Sequence, residues 1–318
     1  MNSWIGLGCK VTKRKLITIG IPVLNEELNI QALAERLNPV MQEISQLELD
    51  FEILINNNAS SDGSGIILDN WANSDSRLTV NHFSHTVPFQ ESILRLLQQS
   101  KGDAFVLLQS DLQDPPEVLG QFVANWMSGE KIVAGVISKR SEGFLQRSIR
   151  KIFYRLLKTF SDGKIIVGFQ DFYLVDRTIV NQLRQLSAEG LFLRGHISTR
   201  FGHIKQVPYV RADRARGSSN FNFPAKYSLA MDGLLLFGTR FVRTISTISF
   251  GLFCFGIIGA FVVLVSYLIG FRPAMHGWAS LGVILLTLLA LIGMTTGLIL
   301  EYLIRIYRFQ IFSNKTID

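Results

Sequence analysis

The sequence predicts an α/β domain with a parallel sheet, followed by two membrane-crossing helices. Short apolar, β-branched runs alternate with amphipathic helical segments through the first half of the chain. Polar turns rich in Asn, Asp, Ser, Gly and Pro follow several of these runs. Two long stretches without charge lie near the C-terminus.

Residues 16–23 (LITIGIPV) are apolar and end at Pro22 and Asn25, the pattern of a buried strand. Over residues 26–48 the positions Ile30, Leu33, Leu37, Val40, Met41 and Ile44 recur at helical spacing. Residues 51–56 (FEILIN) read as a second strand, and the turn NNASSDGSG leads into a helix through Trp71. Leu78–His82 and Ala104–Leu108 read as further strands, separated by a helix around Glu91–Gln99, and Lys131–Ile137 as another. Such alternation predicts a parallel sheet covered by helices on both faces. Ligands of these sheets bind beyond the carboxyl ends of the strands. That rule singles out Pro22–Glu27, Asn56–Gly65 and Gln109–Glu117.

Residues 244–271 and 273–300 contain no Asp, Glu, Lys or Arg. Each exceeds the roughly 20 apolar residues that cross a bilayer. Arg240 and Arg243 precede the first span, Arg305, Arg308 and Lys315 follow the second, and the intervening loop holds only Arg272 and His276. The positive-inside bias places both ends in the cytoplasm. Residues 1–15 lack a long apolar run, so no secretory signal is expected. The expected organisation is a cytoplasmic domain over 1–224, a juxtamembrane amphipathic helix over 225–243, a two-helix hairpin over 244–308 and a cytoplasmic tail over 309–318. Residues 139–158 are also basic and amphipathic, fitting either a membrane surface or an ordinary solvated helix face.

The net charge is +7, from 32 Lys and Arg against 25 Asp and Glu. Beside two spans, this excess fits an anionic membrane surface or a phosphorylated substrate better than nucleic acid. Cys9 and Cys254 are too few and too far apart for a disulfide framework or a zinc site.

Gln109-Ser-Asp-Leu-Gln-Asp-Pro-Pro-Glu117 follows a strand directly. A carboxylate at a strand end with a second oxygen two residues on suits Mg²⁺ or Mn²⁺, which keep sites open for phosphate oxygens. Asp111 and Gln113 fit this role, whereas Asp114 and Pro115 read as the cap of the following helix. Asn25 reads in the same way as the N-cap of the first helix.

Together the three loops resemble glycosyltransferase family two, of GT-A (Rossmann-like) fold. Within it they are most similar to the dolichyl-phosphate mannose synthase and bactoprenol glucosyltransferase branch. The resemblance rests on Pro22, Asn25, Glu26 and Glu27, on Asn57, Asn58, Ser60, Asp62 and Gly63, and on Gln109 to Glu117. It continues in Asp171-Phe-Tyr-Leu-Val-Asp-Arg177, in Phe192-Leu-Arg-Gly195, in Arg211, Arg214, Gly217 and Ser219, and in Glu301-Tyr with Arg305-Ile-Tyr307. It implies inverting transfer of one hexose from a nucleotide-sugar, of the UDP-glucose or GDP-mannose type, to polyprenyl phosphate at the cytoplasmic membrane face. It implies donor contacts from Pro22, Asn25, Glu26, Asn57, Asp62, Gln109 and Ser110, and includes Ser219 on the acceptor side. Bidentate geometry makes Arg140, Arg211 and Arg214 candidates to hold and align the acceptor phosphate. Asp171 either orients the acceptor or acts as base.

Two positions depart from the family pattern. Asn57 stands where an Asp usually reads the base, and Gln109 where the first Asp of the metal motif usually sits. They motivate an alternative, a catalytically impaired membrane scaffold of the same fold. A processive polysaccharide synthase is disfavoured, since no Arg-Trp pair occurs. A homo-oligomer is left open.

Overall fold

The computed structural model describes residues 14–139, 169–188, 191–212, 239–270 and 278–313. They form two compact units, one up to residue 212 and one from residue 239.

The first unit begins with β1 (Lys15–Val23), α1 (Glu27–Ser45), β2 (Leu49–Asn57), α2 (Ser64–Ser74), β3 (Leu78–His82), α3 (Phe89–Gln99) and β4 (Ala104–Leu107). A 3₁₀ turn (Pro116–Val118) leads into α4 (Leu119–Met127) and β5 (Ile132–Lys139). Then come β6 (Phe169–Asp176), α5 (Arg177–Leu183), α6 (Leu193–Arg200) and β7 (Lys205–Val210). The strands form one sheet in the order β3-β2-β1-β4-β6-β5-β7.

The expected parallel sheet needs one correction. β6 runs antiparallel to both β4 and β5, while the β1–β2, β1–β4, β2–β3 and β5–β7 pairs are parallel. β4 and β5 are therefore not neighbours. β6 enters the sheet from the edge at which β1 to β4 end, which brings its first residues to the carboxyl ends of the parallel strands. The same polarity delivers the end of β7 to that edge.

The helix periods read from sequence have a direct packing cause. Ile30, Leu33, Leu37, Met41 and Ile44 of α1 are buried with Ile17, Ile19 and Ile21 of β1 and with Phe122 and Val123 of α4 in one apolar core. Phe122 also meets Phe172 of β6, with ring centroids 4.7 Å apart. Ile93, Leu96 and Leu97 of α3 are buried too, and the Leu96 side chain packs where Gly20 lies against Phe105.

The second unit holds α7 (Thr239–Leu268) and α8 (Trp278–Ser313). Ser246–Val263 and Leu281–Leu303 are long and apolar enough to cross a membrane, and only 6% and 12% of their residues are buried. A helix in a soluble core would be mostly buried, so these exposures fit apolar surroundings. Small residues line the seam between the two helices. A Cβ on Gly256 would stand 3.1 Å from Thr287 Cα, and one on Gly297 would stand 3.2 Å from Ser246 Oγ. Such residues let helix backbones approach closely without a hydrophobic driving force. Of the expected juxtamembrane helix, residues 225–238 lie outside the described residues, as do 140–158 of the earlier basic segment.

Candidate active site

The sheet register aligns the strand ends. Val23 pairs with Asn57, and Asn57 with His82, along one row. The loops that follow close on one another. Asn25 Oδ1 accepts the Ser61 N–H at 2.8 Å, and the Asn25 N–H donates to Ser60 Oγ at 3.0 Å. Asp62 accepts from the Glu27 and Ser64 amides at 3.2 and 3.0 Å, and Glu27 accepts in return from Gly63 N–H at 2.7 Å. Glu26 N–H donates to Ser64 Oγ at 2.9 Å. Burial works against the Asp62 charge, yet the bonds from Ser64 and Glu27 hold its carboxyl below the usual range. Asn25 does not cap α1 as expected. Its φ of 55° is left-handed, and its side chain bridges to the second loop. Asn tolerates that conformation better than most side chains.

Asn57 is buried, and its Oδ1 accepts the Ser60 N–H at 3.1 Å. Its Nδ2 lies 3.0 Å from His82 Nδ1, and His82 Nε2 lies 3.0 Å from Asp69 Oδ1. Asn58 exchanges two bonds with the Val87 backbone, at 2.9 and 2.8 Å.

The third loop is fixed from the other side. Asp111 Oδ1 accepts the Gln113 N–H at 3.1 Å across Leu112, whose φ is 57°. Ser110 Oγ donates to the Pro22 carbonyl at 3.1 Å, tying this loop to the first, and Gln109 is half-buried beside it. Gln113 carbonyl accepts the Ala212 N–H at 3.1 Å, so the end of β7 closes over the loop. Asp114 does not cap the following helix, another correction. It is wholly buried and accepts from Tyr209 Oη at 2.5 Å, with Arg211 Nε 3.3 Å away. Burial raises its pKa, Arg211 and the Tyr209 bond oppose that rise, and nearby Asp111 and Asp171 reinforce it.

Asp171 is 9% exposed and lies 3.7 Å from Arg194, whose guanidinium sits over the Phe192 ring at 4.9 Å. Asp171 Oδ1, Asp114 Oδ2 and Tyr173 Oη are buried without a hydrogen bond among the described residues. Burial, reinforced by Asp171, pushes the Tyr173 hydroxyl well up.

The edge thus collects Pro22, Asn25, Glu26, Asn57, Asp62, Gln109, Ser110, Asp111, Gln113, Asp171 and Arg211 onto strand ends and the loops beyond them. Arg140, Arg214 and Ser219 lie outside the described residues. Sequence reasoning passed over Tyr209 and the His82–Asp69 pair, and gave Arg194 no role beyond its place in Phe192-Leu-Arg-Gly195. The strand-end rule applied to β3 and β7 would have pointed to His82 and, one residue past β7, to Arg211 with its neighbour Tyr209.

Comparison with known proteins decides the family. The model of glycosyl transferase family 2 matches residues 18–184, just over half of the chain. The chain belongs to this family. Its members' GT-A fold is also the fold seen here. The family 2 chain is 32% identical to an uncharacterised glycosyltransferase of Bacillus subtilis, over 91% of this chain and 89% of that one. It is 32% identical to a bactoprenol glucosyl transferase of Shigella phage SfV, covering 92% of this chain and 94% of that one. Among solved structures, glucosyl-3-phosphoglycerate synthase of Mycobacterium tuberculosis with Mn²⁺, UDP and glucosyl-3-phosphoglycerate superposes with a TM-score of 0.50. Its identity is 19%, with 70% of this chain and 78% of that chain covered, a likeness of fold.

No group of three or more His, Cys, Asp or Glu arranged to hold a metal occurs among the described residues. Asp111 and Gln113 supply one carboxylate and one amide oxygen on a loop anchored at both ends. Mg²⁺ and Mn²⁺ are commonly held by one or two carboxylates plus substrate phosphates and water, so these residues fit.

Proposed function

We propose that this family 2 glycosyltransferase moves a single hexose, with inversion, from a nucleotide-sugar to polyprenyl phosphate at the cytoplasmic face of a membrane. One observation carries the acceptor assignment. Two span-length apolar helices follow the transferase unit, in a chain nearly coextensive with relatives named bactoprenol glucosyl transferases. The division at 224, 243 and 308 and the cytoplasmic orientation follow from the flanking charges and belong to the same reading.

In this reading the zipped first and second loops bind the nucleoside, with Asn57 at the base and Asp62 keeping the loop closed. A donor of the UDP-glucose or GDP-mannose type belongs to this reading. Asp111 and Gln113 would hold Mg²⁺ or Mn²⁺, which when bound supplies charge for the departing diphosphate. The acceptor monoester is largely ionised near neutral pH, with a second pKa of about 6, so its oxygen attacks the anomeric carbon without a strong base. Arg211, with Arg140 and Arg214, aligns that phosphate. The wholly buried Asp114 carboxylate, 3.3 Å from Arg211 Nε, holds the guanidinium nearby as an ion pair. Asp171 orients the acceptor or takes a proton, with Arg194 balancing its charge.

The test is incubation of the purified full chain with polyprenyl phosphate, Mg²⁺ and a panel of labelled nucleotide-sugars. Label should pass into the organic phase with at least one donor and should fail to do so without the lipid phosphate. Label transferred only to water-soluble acceptors would overturn the lipid assignment. Cysteine labelling of residues 272–276 from outside intact cells, with protected termini, tests the orientation.

A further inference from the structure

The Asn57 amide can be oriented by hydrogen-bond accounting alone. The Ser60 N–H can only donate, so the atom facing it at 3.1 Å is the amide oxygen. The NH₂ group therefore faces His82 Nδ1 at 3.0 Å, and that nitrogen must accept. A neutral imidazole that accepts at Nδ1 carries its proton at Nε2, where Asp69 Oδ1 stands 3.0 Å away to receive it. A doubly protonated ring would set one N–H against another. The backbone is fixed as well, because the Asn57 carbonyl accepts from both Phe83 and Ala59 amides at 2.9 Å. Gly65 completes the fit, since a Cβ there would stand 3.3 Å from Asn57 Nδ2 and 3.8 Å from the His82 ring.

We infer that His82 and Asp69 are positioning residues of the donor subsite, holding the Asn57 amide in one orientation so that a nucleotide base meets a donor and an acceptor. The inference rests on the reading above that the base of the donor lies at Asn57. With one amide hydrogen on His82 and one oxygen lone pair on Ser60, Asn57 keeps one N–H and one lone pair to offer. That pair complements a base edge with an adjacent acceptor and donor, as the N–H and carbonyl of uracil or guanine present. A carboxylate at residue 57 would offer acceptors only and would face the Nδ1 lone pair. His82 would then have to carry a proton at Nδ1, either as a cation between two carboxylates or with a bare Nε2 facing Asp69. Residues 57, 82 and 69 are thus coupled, and the departure at Asn57 is matched by the ring state that Asp69 selects.

Binding of UDP and of GDP, each with Mg²⁺, to the full chain in detergent tests this by calorimetry. Loss of one such hydrogen bond corresponds to about 2- to 10-fold in affinity. His82→Ala should weaken the preferred nucleotide by about that factor and flatten the UDP-to-GDP preference. His82→Asn, whose amide oxygen can accept near the Nδ1 position, should restore both, a rescue that a merely space-filling role would not give. Asp69→Asn should flatten the preference by a smaller factor. Unchanged affinity and ranking in His82→Ala, beside a clear loss in Asn57→Ala, would overturn the relay and leave the base reading standing. Unchanged binding of both nucleotides in Asn57→Ala, or no binding by the wild type, would overturn the base reading and this inference with it. ¹⁵N spectra of the histidine rings give an independent measure. His82 should show a protonated Nε2 and a bare Nδ1, and a protonated Nδ1 would overturn the proposal even if the variants misfold.

Discussion

The β1–β2–β3 side of the sheet edge and the β4–β6–β7 side are built differently. On the first side the loops bond to one another, although Asn29 Oδ1 and Ser92 Oγ in the helices behind them are also buried without a hydrogen bond among the described residues. Asn25, Asp62, Glu27 and Asn58 use side-chain oxygens on backbone amides of neighbouring loops. On the second side Asp114 Oδ2, Asp171 Oδ1 and Tyr173 Oη are buried with no such bond among the described residues. A buried polar group without a partner costs free energy and calls for an explanation, and a reacting site is a common one. The difference teaches that the first side is preorganised by its own hydrogen bonds. The second side holds charge in a state that a bound ligand would relieve. Substitutions among the loop-bridging residues of the first should lower stability, and those on the second should lower turnover, together with stability where a buried bond such as Tyr209–Asp114 is lost.

The largest effect is expected at Asp111, between the two sides. Asp111→Asn keeps the size of the side chain and removes its charge, so transfer should fall by at least about 100-fold with little change in melting temperature. Full activity in this variant, or in excess chelator, would remove the metal role. Gln113→Ala should act in the same direction and more weakly.

Tyr209→Phe sharpens the contrast from within the second side. It removes the donor to a wholly buried carboxylate, and the expected loss of stability is about 1–3 kcal/mol. The third loop should loosen with it, so a fall in activity should accompany the fall in denaturation midpoint. An unchanged midpoint would show that Asp114 finds another donor.

Asp62→Ala tests the first side, where two amides lose their acceptor and about 1 kcal/mol should follow. Because the folded carboxyl sits below its unfolded value, its contribution is present above the ordinary Asp range. It is lost as pH falls through the folded pKa. Chemical denaturation at neutral and acid pH should show the variant and wild type converging at low pH.

The smallest effect concerns His196 of α6, the helix that carries Arg194. Burial, with Arg200 adding to it, lowers its pKa to about 4. The unfolded chain then binds the proton first, so stability should fall by about 1 kcal/mol between pH 7 and pH 5.5. His196→Leu should remove that part of the slope, and an unaltered slope would reject the assignment.

The chain announces its strands and helices through local periodicity. Ile17, Ile19 and Ile21 alternate into one core face, and Ile30, Leu33 and Leu37 follow the helical repeat. Such patterns depend on neighbours a few residues away, which is why the strands and helices up to β5, the charge-free spans and the three strand-end loops were legible, whereas β6, α5, α6 and β7 were not assigned. Partner choice was not. Nothing local to Phe169–Asp176 says that it inserts antiparallel between β4 and β5, since that depends on competition among distant edges. Asp114 reads as a helix cap from its own neighbours, yet Tyr209, 95 residues away, captures it. Asn25 likewise reads as a cap until the Ser61 N–H arrives to donate to its side-chain oxygen. Local turn chemistry lets one polar side chain serve several partners equally well, and only the packed sheet, by bringing distant strand ends onto one edge, selects the partner that leaves the fewest buried groups unpaired.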